Sequence, residues 1–219
     1  MEKTLIIFDM DGTVVDTAKI LTESLNFVRS KKNLPPLSVK KVIKLIYSGD
    51  KQKLIKEVFD SETFLPEDKA LFEKHYEKQC EKKIEPYPQI IETLNYLKSN
   101  NIKLSVATNA LTRYSKSIMQ SSDLEKYFDF IVGSCKVKER KPAPDMMDLI
   151  IKKYSDNNIE IKNKFVVGDH FTDIIAAKRS NCKSVFVKWG YGNFNEDSIP
   201  DFQIDSPMQL IDIIKRLNA

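Results

Sequence analysis

Two aspartates one residue apart, Asp9 and Asp11, close the apolar run Leu5-Ile6-Ile7-Phe8 and are followed at once by Gly12. On an extended chain the side chains at i and i+2 point the same way, so both carboxylates reach one crevice if the extension persists that far. Whether they act on a ligand there or cap the next turn, the pair alone leaves open. Three further stretches carry reactive residue types. Thr108-Asn109 offers a hydroxyl and an amide suited to hydrogen-bonding an oxyanion. Arg140-Lys141-Pro142-Ala143-Pro144-Asp145 puts cations on a stiff loop ahead of a predicted helix, and Gly168-Asp169-His170-Phe171-Thr172-Asp173 supplies two more carboxylates. Each stretch alone is an ordinary turn, a solvated lysine or a helix cap; their joint occurrence at successive strand ends is not.

The elements that must position these residues follow from periodicity. Four consecutive apolar residues bounded by a glycine turn read as a strand buried on both faces, as in the middle of a parallel sheet. Residues 18–30, 39–47, 51–59 and 66–83 show helical spacing, with Pro66 suited to a first helical turn, and nothing between residues 16 and 85 reads as a strand. After Pro86 and Pro88 the rhythm changes. Helices are expected at 90–98, 112–120, 144–153 and 174–180, and strands at 103–107, 128–132, 164–167 and 184–187, with a short strand at 202–204. Ser206-Pro207-Met208-Gln209 is a capping-box pattern that opens a terminal helix. Helix alternating with short apolar strand implies a parallel sheet covered by helices. The expected fold is therefore α/β, a Rossmann-like parallel sheet of residues 1–15 and 87–219, with an all-helical domain of residues 16–86 inserted after the first strand. Ligands of such sheets bind beyond the carboxyl ends of the strands, where the reactive stretches lie.

Composition removes several function classes. With 219 residues and 42% hydrophobic content, the chain can bury one sizeable core plus an insertion. The net charge of +4 comes with lysines and glutamates interleaved along residues 69–83, a solvated helix face and not a nucleic-acid footprint. No apolar run is long enough to span a bilayer, and no signal-peptide core precedes the first strand, so no membrane partner and a cytoplasmic location are expected. Cys80, Cys135 and Cys182 are odd in number and lack ligand spacing, as expected of buried free thiols in a reducing compartment.

In order and content the four stretches resemble the haloacid dehalogenase superfamily, whose motifs are spread over the whole sheet domain. Motif one is matched by Asp9-Met10-Asp11-Gly12-Thr13-Val14-Val15-Asp16-Thr17, motif two by Thr108-Asn109, motif three by Lys141 in Lys-Pro-x-Pro-Asp, and motif four by Gly168-Asp169-x-x-x-Asp173. The helical insertion is similar to the cap of the superfamily's first subclass. Ser48-Gly49, Trp189-Gly190-Tyr191-Gly192 and Asp201-Phe202-x-Ile204-Asp205-Ser206 look like its phosphoglycolate-phosphatase-like group. Two residues depart from the pattern: Arg140 stands where glycine is common, and His170 where serine is common.

The resemblance implies a Mg²⁺-dependent phosphatase acting on a small phosphorylated metabolite. Asp9 would be the nucleophile that forms an aspartyl-phosphate, and Asp11 the general acid and then base. Mg²⁺ would be held by the Asp9 and Asp169 carboxylates and the Asp11 backbone carbonyl. Gly12, Thr108, Asn109 and Lys141 would bind the phosphoryl oxygens, and Asp173 would orient Lys141 or metal-bound water. Ser48, Gly49 and Lys51 of the cap are candidates for substrate selection. Phosphate-monoester hydrolysis needs up to about 10²¹-fold acceleration, so several such effects must act together. Asp11 argues against a dehalogenase or an ion pump. It leaves as alternatives a β-phosphoglucomutase-like phosphosugar mutase, a nucleotide 5′-phosphatase or pyrophosphatase and, in another class, a non-catalytic binding protein on the same fold. Monomer and dimer remain open.

Overall fold

The computed structural model describes residues 3–217, which divide into two compact units: the residues up to Asp16 with those from Glu85 onward, and Thr17–Ile84.

The first unit is built on a six-stranded sheet in the order β3-β2-β1-β4-β5-β6, every neighbouring pair parallel. Its strands are β1 (Lys3–Phe8), β2 (Lys103–Thr108), β3 (Phe130–Gly133), β4 (Ile161–Gly168), β5 (Lys183–Val187) and β6 (Phe202–Ile204). Leu5, Ile6, Ile7 and Phe8 are all buried, because a central parallel strand is covered on both faces. Leu5 and Ile7 pack in one cluster with Met146, Ile150 and Ala176, the contribution of helices α7 (Asp145–Asp156) and α8 (Phe171–Arg179). Phe8 and Val167 instead line a cavity with Ile90 and Leu94 of α5 (Ile90–Ser99) and Leu210 of α9 (Met208–Leu217). Helix α6 (Thr112–Ser121) follows β2.

Register decides where the chemistry lies. Phe8 is level with Val106 on β2 and with Val167 on β4, so the residues just past all three strands share one edge of the sheet. The chain runs outward from β1 to β3 on one side and from β4 to β6 on the other. The reversal between β1 and β4 opens a crevice outside their carboxyl ends.

The second unit contains α1 (Ala18–Lys31), α2 (Val39–Ile46), α3 (Lys51–Phe59) and α4 (Pro66–Cys80), and no strand among its described residues. Leu25, Val28, Val42, Leu45, Ile55, Val58 and Phe59 form its core. Each large apolar side chain so buried contributes about 1.5–3 kcal/mol before the entropy of ordering the chain is counted. Buried Arg29 donates through Nη1 to the carbonyls of Glu57 and Val58 at the end of α3, and through Nε to Pro35 at 2.7 Å. A cation there satisfies carbonyls that the helix leaves without partners. Ser38 caps α2 and Asp50 caps α3 by accepting from the backbone N–H three residues on.

Several expected boundaries move. Strand β3 begins at Phe130 because residues 125–127 form a 3₁₀ turn that leaves Phe128 buried outside the sheet. Strand β4 begins at Ile161, where a register shift against Lys3 and Thr4 admits the polar stretch Lys162-Asn163-Lys164 that hid it. Helix α8 starts at Phe171, three residues early, because Asp173 is itself in its first turn. Helix α4 stops at Cys80 and α7 extends to Asp156. Gln209 accepts from the N–H of Asp205 and not of Ser206, so the capping pattern there is shifted by one residue. Cys80 and Cys182 are buried free thiols, but Cys135 is exposed, with its thiol donating to Thr112 Oγ1. No helix among the described residues is long and apolar enough to cross a membrane.

Candidate active site

The ladder between β1 and β4 continues one residue past the strand, with Asp9 N–H donating to the Val167 carbonyl at 2.8 Å. The chain then folds back: the N–H groups of Thr13, Val14 and Val15 all point at the Met10 carbonyl, and Gly12 donates to the Val15 carbonyl at 3.0 Å. Gly12 has φ +76°, and a Cβ on it would stand 2.3 Å from Asp169 Oδ2. Both the left-handed backbone and the close approach of Asp169 therefore demand glycine.

Lys141 is the centre of the electrostatics. It is buried, and its ammonium reaches three acceptors: Asp173 Oδ1 at 2.6 Å, Asp9 Oδ1 at 2.8 Å and the Ala107 carbonyl at 2.8 Å. Those three acceptors match its three N–H donors. Burial pushes its pKa down, but the charges of Asp173 and Asp9 outweigh that, and the pKa rises above the usual lysine range. Asp173 is fully engaged, since its Oδ2 accepts from the His170 N–H at 3.2 Å. It holds Lys141.

Asp169 is also buried. Its Oδ2 accepts from the Tyr191 N–H at 2.8 Å and the Gly192 N–H at 3.1 Å, while its Oδ1 is buried with no hydrogen-bond partner. Burial, reinforced by the charges of Asp9 and Asp173, pushes its carboxyl pKa well above the ordinary value. Burial likewise raises Asp9 to about 6, with Lys141 pulling the other way and Asp173 adding to the rise. Oxygens of Asp9, Asp169 and Asp173 lie within 4.8 Å of one another. Three clustered carboxylates facing a single ammonium leave an excess of negative charge in a buried place. A buried carboxylate oxygen without a partner, in a group of clustered carboxylates, fits a hard divalent cation. Asp9 and Asp169 are the residues suited to hold it.

Thr108 Oγ1 donates to Asp11 Oδ2 at 3.4 Å and accepts from the Ala110 N–H at 3.1 Å. Asn109 Nδ2 donates to the Lys141 carbonyl at 3.1 Å, leaving its Oδ1 buried without a partner. Asp9, Asp11, Gly12, Thr108, Asn109, Lys141, Asp169 and Asp173 are thus gathered at one edge of the sheet. His170 directs its Nδ1 to Thr172 Oγ1 at 3.0 Å, and Arg140 is exposed. Ser48 and Gly49 lie in the exposed α2–α3 turn of the helical unit, and Lys51, also exposed, opens α3. The Ser48 hydroxyl donates to the Leu45 carbonyl and accepts from the Asp50 N–H, and Gly49 has φ +73° with open space around it.

The sequence reading assigned no role in the site to Trp189-Gly190-Tyr191-Gly192, the segment just past β5. Besides the two amides on Asp169, Trp189 Nε1 donates to the Thr13 carbonyl at 3.0 Å. A Cβ on Gly190 would lie 2.3 Å from Asp169 Cβ and 2.5 Å from the Gly12 carbonyl oxygen. The available signal was a fourth strand end carrying two glycines around an aromatic residue, a composition that a plain turn does not need.

The model for haloacid dehalogenase-like hydrolases matches residues 6–187. A phosphoglycolate phosphatase of Aquifex aeolicus is 35% identical over 210 residues, covering 96% of this chain and 96% of that protein. One of Agrobacterium fabrum is 33% identical, covering 92% of this chain and 88% of that protein. The crystal structure of a predicted phosphoglycolate phosphatase from Haemophilus somnus 129pt superposes with a TM-score of 0.82 at 26% identity, covering 98% of this chain and 99% of that one. The family match takes in the sheet from β1 through β5, all four motifs and the helical insertion, and this chain belongs to the haloacid dehalogenase-like hydrolases.

Proposed function

We propose that this phosphatase hydrolyses a small phosphomonoester, with 2-phosphoglycolate the first substrate to try, and that Mg²⁺ is its metal. The observation that carries the reading is the buried Lys141 ammonium. It is held by Asp173 against Asp9, next to an Asp169 carboxylate that has only one oxygen satisfied. Asp9 attacks phosphorus, a P–O bond to Asp9 forms as the P–O bond to the leaving group breaks, and Asp11 gives its proton to the departing oxygen. Water then attacks the aspartyl-phosphate, its proton passes to Asp11, and phosphate and the Asp9 carboxylate are regenerated. Lys141 neutralises charge where the anionic nucleophile meets the anionic phosphoryl group, with Thr108, Asn109 and the Gly12 backbone positioned beside it. Mg²⁺, when bound to Asp9 and Asp169 with the Asp11 carbonyl, supplies the remaining charge neutralisation.

The helical unit Thr17–Ile84 is read as a cap that shields the site from water and limits substrates to those it can enclose. Its 48–51 turn is the candidate selector. A cytoplasmic location accords with the free thiols. A screen of phosphorylated metabolites with free-phosphate detection tests the reading. We expect small acid and sugar phosphates to lead, and release to stop in excess EDTA. Undiminished turnover in EDTA overturns the metal, and the absence of phosphate release from every small ester overturns the activity.

A further inference from the structure

The chain leaves the sheet unit at Asp16 and re-enters it at Glu85, and the two crossings are tied to each other. Val15 bridges Pro86 in antiparallel fashion, and Tyr87 N–H donates to the Val14 carbonyl at 3.1 Å. Both crossings also meet one side chain. The Tyr191 hydroxyl donates to Asp16 Oδ1 and is also paired with the Tyr87 hydroxyl. The ring edge of Tyr191 lies against Gly12, 2.9 Å from where a Cβ there would stand. The backbone N–H of the same residue holds Asp169 Oδ2 at 2.8 Å, with Gly192 beside it.

We propose that Tyr191 is a positioning residue that ties Asp169 to the two chain crossings, so that its phenol hydroxyl sets how firmly the metal site is held. Nothing in the reaction requires a phenol at this point, since the amides that hold Asp169 are backbone groups. A phenol is required if the amides are to be placed by the crossings. Its hydroxyl reaches Asp16 and Tyr87 while its main chain reaches Asp169, so a change at either crossing moves the carboxylate or loosens it. The inference rests on the reading of Asp169 as a metal ligand.

The test is Mn²⁺ binding to the full chain without substrate, measured by the electron paramagnetic resonance of free Mn²⁺. It compares wild type, Tyr191→Phe, Asp16→Asn, Tyr87→Phe and the Tyr191→Phe/Asp16→Asn double variant, with folding checked by circular dichroism. Partners that orient a metal ligand typically change affinity 10–100-fold. Because the amides remain, we expect Kd to rise about tenfold, at the low end of that range, in Tyr191→Phe and in Asp16→Asn. The double variant should be no worse than the poorer single one, since both remove one link. Tyr87→Phe should shift Kd in the same direction, an independent check should Asp16→Asn fold poorly. A purely structural hydroxyl would lower the melting temperature and leave Kd at the wild-type value, which overturns the inference while the metal site stands. A wild type that binds no Mn²⁺ overturns the metal site and the inference with it.

Discussion

Asp173 Oδ1 stands 2.6 Å from Lys141 Nζ, nearer than Asp9 Oδ1 at 2.8 Å, so the cation that serves the nucleophile is also anchored by a carboxylate of a different motif. Asp173 comes from the first turn of α8, whereas Lys141 precedes α7. An ammonium bound to Asp9 alone could swing away; between two carboxylates and the Ala107 carbonyl it is fixed.

Asp173→Asn keeps the shape and removes the charge that holds Lys141. We expect kcat to fall by about two orders of magnitude, comparable to the loss of one preorganised donor to a developing charge. Lys141→Ala should fall at least as far. Steady-state kinetics on both variants checks this, and a wild-type kcat in Asp173→Asn would show that Lys141 needs no second anchor.

Asp9→Asn should abolish turnover, because an amide does not form the aspartyl-phosphate. Asp11→Asn should slow both half-reactions by about 10²–10⁴-fold, the range for a positioned acid or base, while leaving the fold intact. Intact-protein mass spectrometry after rapid quench reads the covalent intermediate. Full activity in purified Asp9→Asn, with deamidation back to aspartate excluded, would falsify the covalent route.

The raised pKa of Asp9 makes a signed prediction for the metal-free protein. Its value rises from 3.8 to about 6, so the folded state holds its proton more tightly than the unfolded chain does. This contribution to stability is present below pH 3.8 and is lost as pH rises through about 6. Asp9→Asn lacks the group. In EDTA its melting temperature should therefore gain on wild type as pH rises from 4 to 6, and added Mg²⁺ should close the gap by stabilising wild type. A difference independent of pH would remove the buried charge as its cause.

Gly12→Ala is expected to fail at the site and not merely to lose a little stability. The new methyl carbon would lie 2.3 Å from Asp169 Oδ2 on a backbone with φ +76°. Gly49→Ala shares the backbone penalty, with φ +73°, but meets nothing within 4 Å, so it should cost only about 1–2 kcal/mol of stability. Urea unfolding and Mn²⁺ titration separate the two, the Gly12 variant losing metal affinity as well.

Substitutions in the 48–51 turn should reorder small substrates more than they change hydrolysis of a generic aryl phosphate. Ser48→Ala and Lys51→Ala, assayed on 2-phosphoglycolate, a sugar phosphate and p-nitrophenyl phosphate, make the comparison. Equal scaling of all three would remove this turn from substrate selection.

The sequence alone determined the parallel α/β sheet, the strand-free insertion and the strand ends that carry reactive residues. These follow from local patterns: an apolar run ended by Asp-x-Asp-Gly, helical spacing without strands up to residue 85, and then, past Pro86 and Pro88, helices alternating with short apolar runs. It missed the start of β4, because a strand entering through Lys162, Asn163 and Lys164 shows no apolar alternation there. It also placed Cys135 in the interior, where spacing says nothing of exposure. Only the tertiary structure decided which oxygen of which aspartate meets Lys141, that Asp173 anchors the cation, and that Tyr191 and Gly192 hold Asp169. Those pairs are separated by 32, 22 and 23 positions, and the loops before α7 and past β5 bring them within hydrogen-bond distance beyond the end of β4. A backbone amide donates whatever side chain it carries, so the identity of Tyr191 gives no sign that its N–H is what Asp169 needs.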